Sequence, residues 1–132
     1  MVEIIRGRDP QLEALRYLSA WFPEIQVEVP SGWTGDGLLV VVQDAGGSGG
    51  YDIVLDDILI RFLVFHPDQE TASSNARTLH GLVKRWGEEH AGVSFRDTIQ
   101  RPTYDPDPDT GVPAYTMTVR LVFRAETVTV TP

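Results

Sequence analysis

Residues 58–86 constrain the fold of this chain more than any other part of the sequence. In residues 58–65, apolar side chains occur at both the even-numbered and the odd-numbered positions, which point to opposite faces of a strand. This pattern predicts a strand covered on both faces. Pro67 and Asp68 follow at once and are typical of a helix start, because proline presets a helical dihedral and aspartate accepts from free backbone N–H groups. An apolar stripe at helical spacing comes next: Ala72, Ala76, Leu79, Val83 and Trp86. We therefore expect a central strand and a helix that packs back onto it.

A first helix is expected near the amino terminus. Asp9 and Pro10 form an N-cap followed by proline at the first helical position. The helix ends by Phe22, because Pro23 cannot continue the hydrogen-bond ladder. Its apolar side is predicted from four residues at helical spacing: Leu12, Leu15, Leu18 and Phe22.

Four other segments have strand character: three alternate apolar and polar residues, and 38–42 is an unbroken apolar run of strand length. They are residues 25–29, 38–42, 93–100 and 115–123. A chain of 132 residues has the commonest length of a single domain. We predict an α+β fold for residues 1–132: one domain with a mixed, mostly antiparallel β-sheet of about five strands and two helices packed on one face.

Three segments fall outside this pattern: a glycine-rich loop at 44–52, a Pro/Asp-rich excursion at 101–113, and an extended C-terminal tail at 126–132. Glycine has no side chain to pack, so we expect the loop to be mobile. Four prolines exclude a helix or a ladder strand from the excursion. Val128 and Val130 give the tail the alternating pattern of a strand, but the sequence shows no apolar surface against which they would pack. The three segments are either plain loops and a frayed end, or surfaces that become ordered against a partner.

The charge balance and the absence of cysteine exclude several function classes. A formal charge of −8 repels phosphate backbones and argues against nucleic-acid binding as the main task. Without cysteine the chain has no disulfide and no thiolate metal site, which fits a reducing, cytoplasmic setting. The first residues lack the pattern of a secretory signal, and no apolar run has membrane-spanning length. We expect a soluble protein with no membrane partner.

The candidate catalytic motifs have weak support. Residues 46–50 match the G-x-S-x-G pattern of serine hydrolases around Ser48, but that motif requires a helix directly after the serine, and here a strand is predicted. Asp105, Asp107 and Asp109 alternate as in a calcium loop, yet prolines lie between them and the required glycine is missing. The histidines have no spacing that suits zinc. We predict no catalytic residue, no cofactor and no metal ion.

Several segments together carry a family resemblance. They are the strand ending in Phe65-His66-Pro67-Asp68, the helix with Ala72 and Ala76 on one side and Leu79-His80 after them, and the run 101–113 that leads into Tyr115-Thr116-Met117-Thr118-Val119. In these segments the chain resembles the tail terminator proteins of long-tailed, siphophage-type bacteriophages. Chain length and element order agree over nearly the whole sequence.

The resemblance implies a structural, non-enzymatic protein of the virion. Such subunits form a homohexameric ring at the head–tail junction, which caps the completed tail tube, stops its polymerisation and offers the surface for head attachment. The implied partners are further copies of the chain, the major tail tube protein and a head-completion or neck protein, with assembly in the host cytoplasm. DNA would pass through a negatively charged lumen without specific binding.

The residues of the subunit contacts are predicted from surface chemistry, with a solvated surface as the competing interpretation. We expect them in the excursion, in the glycine loop and on the polar face of the sheet. They are Tyr104, Asp105, Asp107, Asp109, Gly47, Ser48, Gly49, Arg61, Arg120 and Arg124.

Two other hypotheses stay open. A head-completion or neck connector protein at the head–tail interface would bind the portal side instead of the tail tube. A small metal-dependent hydrolase or nuclease would use Asp52, Asp56 and Asp57 with a divalent cation, although acids around a glycine loop are more often solvated turn residues.

Overall fold

The computed structural model describes residues 1–50 and 54–132. The described residues form eight strands and three helices. In chain order these are β1 (Val2–Arg6), α1 (Pro10–Leu18), β2 (Ile25–Gln26), β3 (Leu39–Asp44), β4 (Gly49–Gly50), β5 (Leu55–Phe65), α2 (Gln69–Lys84), α3 (Trp86–Glu89), β6 (Val93–Tyr104), β7 (Ala114–Arg124) and β8 (Glu126–Val130). The predicted α+β class, with a mostly antiparallel sheet, is confirmed.

The main sheet has β5 at its centre. Its strand order is β2-β3-β5-β7-β6, and the short β4 pairs with β5 on the same side as β3. β5 and β7 pair antiparallel along their whole length, from Leu55 opposite Arg124 to Phe65 opposite Ala114. Only β2 runs parallel to its neighbour within the described residues. The segment predicted as the central strand therefore has that position.

The core lies between the helices and one face of this sheet. β5 contributes Ile58, Ile60, Phe62 and Val64, and β7 contributes Met117, Val119, Leu121 and Phe123. All of them are buried. The helices cover this face with Ala14, Tyr17 and Leu18 from α1, Ala76, Leu79 and Val83 from α2, and Trp86 from α3. Burying one large aliphatic side chain is worth roughly 1.5–3 kcal/mol, so this layer is the main source of stability.

α2 begins where the sequence predicts and ends earlier. Asp68 is the N-cap, and its Oδ2 accepts from the backbone N–H of Thr71 at 3.0 Å. The apolar stripe faces the sheet and is buried, as predicted. The helix stops at Lys84, and a separate turn, α3, carries Trp86 into the core. The stripe from Ala72 to Trp86 predicted a single helix, so this C-terminal boundary was wrong.

α1 is capped by Asp9 as predicted, and most of the predicted apolar side contacts the core: Leu18 and Phe22 are buried and Leu15 packs against the cluster. Leu12 is the exception, because it is 42% exposed. Ala14 and Tyr17, which the predicted stripe left out, are buried. The helix ends at Leu18, before the turn that leads to Pro23. Within the described residues, no helix has the length and apolar character needed to cross a bilayer.

The excursion at 101–113 is a correction to the sequence analysis. Its first four residues continue β6, with Thr103 opposite Thr116 and Tyr104 opposite Tyr115. Pro102 is accommodated because β6 is an edge strand and its register shifts between Gln100 and Thr103, where a missing N–H breaks no ladder bond. The rest forms the connecting loop of a long β6–β7 hairpin. The prediction that no ladder strand is possible here was wrong.

The glycine loop is hydrogen-bonded to β5 over its described part, 44–50. Ala45 N–H donates to Leu59 O, and Leu59 N–H donates to Gly46 O, both at 2.9 Å. β4 then pairs with Asp56 and Asp57. A Cβ on Gly47 would lie 2.2 Å from Asp57 O, so glycine is required for this close approach. The remaining residues of the predicted loop, 51 and 52, lie outside the described part of the chain.

The two ends of the chain pair with each other. β1 and β8 form an antiparallel, two-stranded ribbon from Val2 opposite Val130 to Arg6 opposite Glu126. The tail at 126–132 is thus largely a paired strand, and its partner is a terminal strand that the sequence analysis did not predict.

Candidate functional site

The open face of the sheet, opposite the helices, carries a small charged cluster. Arg120 Nε lies 3.6 Å from Asp57 Oδ1, and Arg120 Nη1 lies 3.8 Å from Asp97 Oδ2. Arg120 Nε and Asp57 Oδ1 are both buried, so each is the other's main electrostatic partner. Asp57 Oδ2 also accepts from Ser48 Oγ at 2.6 Å. The structure thus brings together Ser48 of the glycine loop and Arg120 of the polar sheet face, which the sequence predicted separately.

The predicted arginines share this open face. Arg61 is opposite Thr118, Arg120 is opposite Leu59, and Arg124 is opposite Leu55. Directly opposed residues of an antiparallel pair lie on one face of the sheet. The three arginines alternate along β5 and β7 with the core residues that face the helices, so they lie on the opposite face. Arg61 and Arg124 are exposed. The end of the face beside the hairpin loop is covered instead by a second apolar cluster, in which Trp33 packs edge-on against Phe65 with ring centroids 5.4 Å apart.

The acids of the metal hypothesis do not converge. Asp57 lies on the open face with Arg120, whereas Asp56 lies on the helix side, where its carboxylate occupies the space above Gly7. Adjacent strand residues point to opposite faces, which explains the separation. Asp52, the third residue of that hypothesis, lies outside the described residues. Among residues 1–50 and 54–132, no group of three histidine or carboxylate side chains is placed to hold a metal ion.

The β6–β7 loop forms an ordered acidic tip. Asp105 N–H donates to Ala114 O and Asp107 N–H donates to Val112 O, at 2.8 and 3.0 Å. The carboxylate of Asp107 accepts from Thr110 N–H at 3.0 Å, which closes the turn. Asp105 and Asp109 are exposed. Tyr104 contacts Tyr115 across the hairpin, with ring centroids 5.6 Å apart. All four predicted residues of this loop therefore lie at one end of the molecule, away from Ser48 and Arg120.

The β1–β8 ribbon exposes apolar side chains. Val2 and Ile4 lie opposite Val130 and Val128, so one face of the ribbon is aliphatic. Val2 is 58% exposed and Val130 is 41% exposed. The alternating Thr127-Val128-Thr129-Val130 pattern indicated a strand, but nothing in the sequence indicated which strand would pair with it.

A groove at the base of the ribbon was missed by the sequence analysis. Arg6, Arg8 and Arg16 line it together with Glu13 and Glu126, around a volume of about 470 Å³. The only signal in the sequence was the alternation of Arg6 and Arg8 directly before a helix start. That pattern indicates a shared side of the chain but not a groove.

Among the described residues, three titratable groups have shifted pKa values with clear causes. Burial raises the pKa of Tyr17, and the nearby Glu89 carboxylate adds to this. The hydrogen bonds from Thr71 lower the pKa of Asp68. Burial, with a smaller effect of Lys84, lowers the pKa of His80, whose Nε2 lies 2.8 Å from Thr98 Oγ1. All three groups belong to the helix layer, and Tyr17 also lines a cavity beside Arg8 and Arg16.

Comparison with known proteins adds no family assignment. No protein-family model matches the chain, and no curated protein matches it significantly. The function is therefore inferred from three exposed features: the charged open face, the acidic hairpin loop, and the ribbon with its arginine groove. The hairpin loop precedes the start of β7, and strand β8 of the ribbon follows its end.

Proposed function

We propose that this protein is a bacteriophage tail terminator: a structural subunit that forms a hexameric ring on the completed tail tube, stops its polymerisation and presents a surface for head attachment. One observation carries the proposal. The helices cover a single face of the sheet, and contact surfaces of different chemistry project from opposite ends of β7. A subunit with two different contact surfaces can associate head to tail, and such heterologous contacts close into rings.

The ribbon supports an assembly role because it has little stabilisation of its own. A two-stranded hairpin is marginal in water, and its aliphatic face, including Ile4, is exposed. Both outer edges of the ribbon have unpaired backbone groups among the described strands, and such edges bind further strands. Contact with another subunit or with the tube would cover both the edge and the aliphatic face.

The net charge suits the passage of DNA. Each subunit carries a formal charge of −8, and a ring of such subunits repels phosphate groups unless its cations face the lumen. In this proposal DNA slides through the ring without specific binding, while the tail tube protein and a neck protein bind its two faces. The protein then acts in the virion, at the head–tail junction, by binding and without catalysis.

The proposal is tested by native mass spectrometry over a concentration series, followed by negative-stain imaging with purified tail tubes. We expect a closed species of six subunits, either free or on tube tips. Binding to heads at the portal, with no binding to tubes, would instead identify a neck connector. A protein that forms no ring and binds neither tubes nor heads would contradict both assignments.

A further inference from the structure

The arginine groove retains hydrogen-bond donors for a further anionic group. Arg8 and Arg16 lie 3.8 and 3.4 Å from Glu13 Oε1, and Arg6 lies 3.7 Å from Glu126 Oε1. These distances exceed the roughly 2.7–2.9 Å of a charge-assisted hydrogen bond. Arg8 Nε also donates to Arg124 O at 3.0 Å. Each guanidinium has about five N–H donors in a fixed fork, so these contacts still leave N–H groups for another carboxylate.

In the groove an acidic segment meets less repulsion than over the surface as a whole. Three arginines balance the acidic residues that line it, Asp9, Glu13 and Glu126, whereas the whole chain carries −8. The carboxylate of Asp9 is already used, because it accepts from the N–H groups of Gln11 and Leu12. The groove continues past Arg8 and Arg16 into a second cavity of about 260 Å³ beside Tyr17 and His90. The two cavities share Arg8, Glu13 and Arg16 and together have more room than a small ion needs.

The acidic hairpin loop has the properties of such an occupant. Asp105 and Asp109 are exposed at its tip. The turn between them is held by Asp107, which accepts from Thr110 N–H, and by Gly111 N–H donating to Asp107 O at 2.8 Å. A loop that is already ordered loses little conformational entropy when it binds. Arginine forks also match carboxylates with two parallel hydrogen bonds.

The loop and the groove cannot meet within one chain. The loop precedes Ala114 at the start of β7, and the groove includes Glu126, just beyond Arg124 at its end. At about 3.4 Å per residue, the length of β7 separates them by roughly 34 Å. Contact between them therefore requires two copies.

We propose that the acidic loop of one copy, through Asp105 and Asp109, docks into the Arg6–Arg8–Arg16 groove of the next copy. The contact joins unlike surfaces at opposite ends of the sheet, so its repetition generates a ring or a filament. This contact identifies the surfaces that meet between neighbouring subunits of the ring proposed above. The biological role of the contact rests on that proposal.

Charge reversal with rescue tests this contact. Arg16→Glu changes the groove at a side chain that is 64% exposed, and Asp105→Arg with Asp109→Arg changes the loop without touching Asp107. Each variant is expected to raise the dissociation constant for self-association at least about tenfold, because close interfacial charge pairs couple by more than roughly 1.5 kcal/mol. Combining both sets in one chain is expected to restore association. Added salt should weaken the wild-type contact.

The matched control is Lys84→Glu, which makes the same charge change on the exposed side of α2 at a residue that does not line the groove. Melting temperatures confirm that the variants are folded. Loss of association in the groove and loop variants, rescue in the combination and no effect of the control support the contact. Unchanged association in the groove and loop variants, or an equal loss in the control, overturns the loop–groove contact. Rings on the tips of tail tubes would in that case leave the proposed function intact. Conversely, charge-dependent oligomers that bind no tube support the contact and contradict the terminator role.

Discussion

Tyr17 joins α1 to α2 and α3 through both its ring and its hydroxyl group. Its O–H donates to Leu82 O at 2.7 Å, near the end of α2. Its ring stacks on Trp86 with centroids 5.0 Å apart and meets Trp21 and His90 edge-on. Offset-stacked and edge-on pairs stabilise beyond their buried area, by about 0.5–1.5 kcal/mol each. One residue thus positions three helices over the sheet.

Tyr17→Phe should lower the free energy of unfolding by about 1 kcal/mol, because it removes the hydrogen bond to Leu82 O and leaves the ring contacts in place. Urea unfolding followed by tryptophan fluorescence measures the change. Tyr115→Phe is the matched control, since the Tyr115 hydroxyl accepts a long hydrogen bond of 3.3 Å from the exposed Gln69 side chain. An equal loss in both variants would contradict the role of the Tyr17 hydroxyl.

His80 makes stability depend on pH. Burial holds its pKa below the ordinary value of 6.5, so the unfolded chain takes up a proton more readily than the folded one. The stability of the folded state that depends on a neutral His80 is complete above pH 6.5 and is lost as the pH falls toward the pKa of His80 in the folded protein. His80→Gln should reduce the loss of stability between about pH 7.5 and pH 5, measured by denaturant unfolding at both values. An unchanged pH dependence would show that other groups cause it.

At the scale of elements, close backbone contacts decide how the short helix meets the sheet. α3 lies against the start of β6, and the two approach each other at Gly87. A Cβ there would lie 2.6 Å from Val93 O, a backbone atom that cannot move without shifting the strand. The glycine is therefore required for packing, although its dihedral angle would suit other residues.

Gly87→Ala should destabilise the protein by about 1–3 kcal/mol, the range for overpacking in a close contact. Gly81→Ala is the matched control, because it lies in α2 with nothing within 4 Å of its added Cβ. That control should stabilise the protein by roughly 0.5–1 kcal/mol through helix propensity. Thermal unfolding of both variants measures the difference, and a stabilised Gly87→Ala protein would contradict the packing assignment.

At the scale of the molecule, the chain consists of a well-packed body and a projecting ribbon. β7 is buried over most of its length and all residues of β5 except Arg61 are buried or half-buried, whereas every residue of β1 is exposed. Opening free energies follow such differences in burial. The part of the molecule with the least internal stabilisation is therefore the part that the proposed function assigns to assembly.

Hydrogen exchange should show this contrast. In the isolated subunit, amides of β1 and β8 should exchange at least about a hundredfold faster than those in the centre of β7, because the ribbon opens without unfolding the body. In the assembled ring, the ribbon amides should become protected. Equal protection of ribbon and body in the isolated subunit would show that the ribbon is stable by itself.

The sequence predicted the features that depend on neighbouring residues. The alternation in 58–65 and 115–123 reflects the side-chain period of a strand, and the cap at Asp68 reflects local hydrogen bonding. These patterns yielded the central strand, its partner and the main helix. The predictions failed where burial depends on distant contacts, as for the exposed Leu12 and the buried Tyr17 of α1, or where a rule has an exception, as for Pro102 in an edge strand.

Sequence alone determined the α+β class, the strand at the centre of the sheet, the acidic charge and the turn-rich character of the loop before β7. Tertiary structure decided that the two chain ends pair, that Arg6 and Arg16 line one groove, and that Asp56 and Asp57 face apart. Local stereochemistry and capping act over a few residues and leave a readable pattern. Pairing between Val2 and Val130 is chosen among many competing contacts by the packing of the whole chain, and no short pattern records that choice.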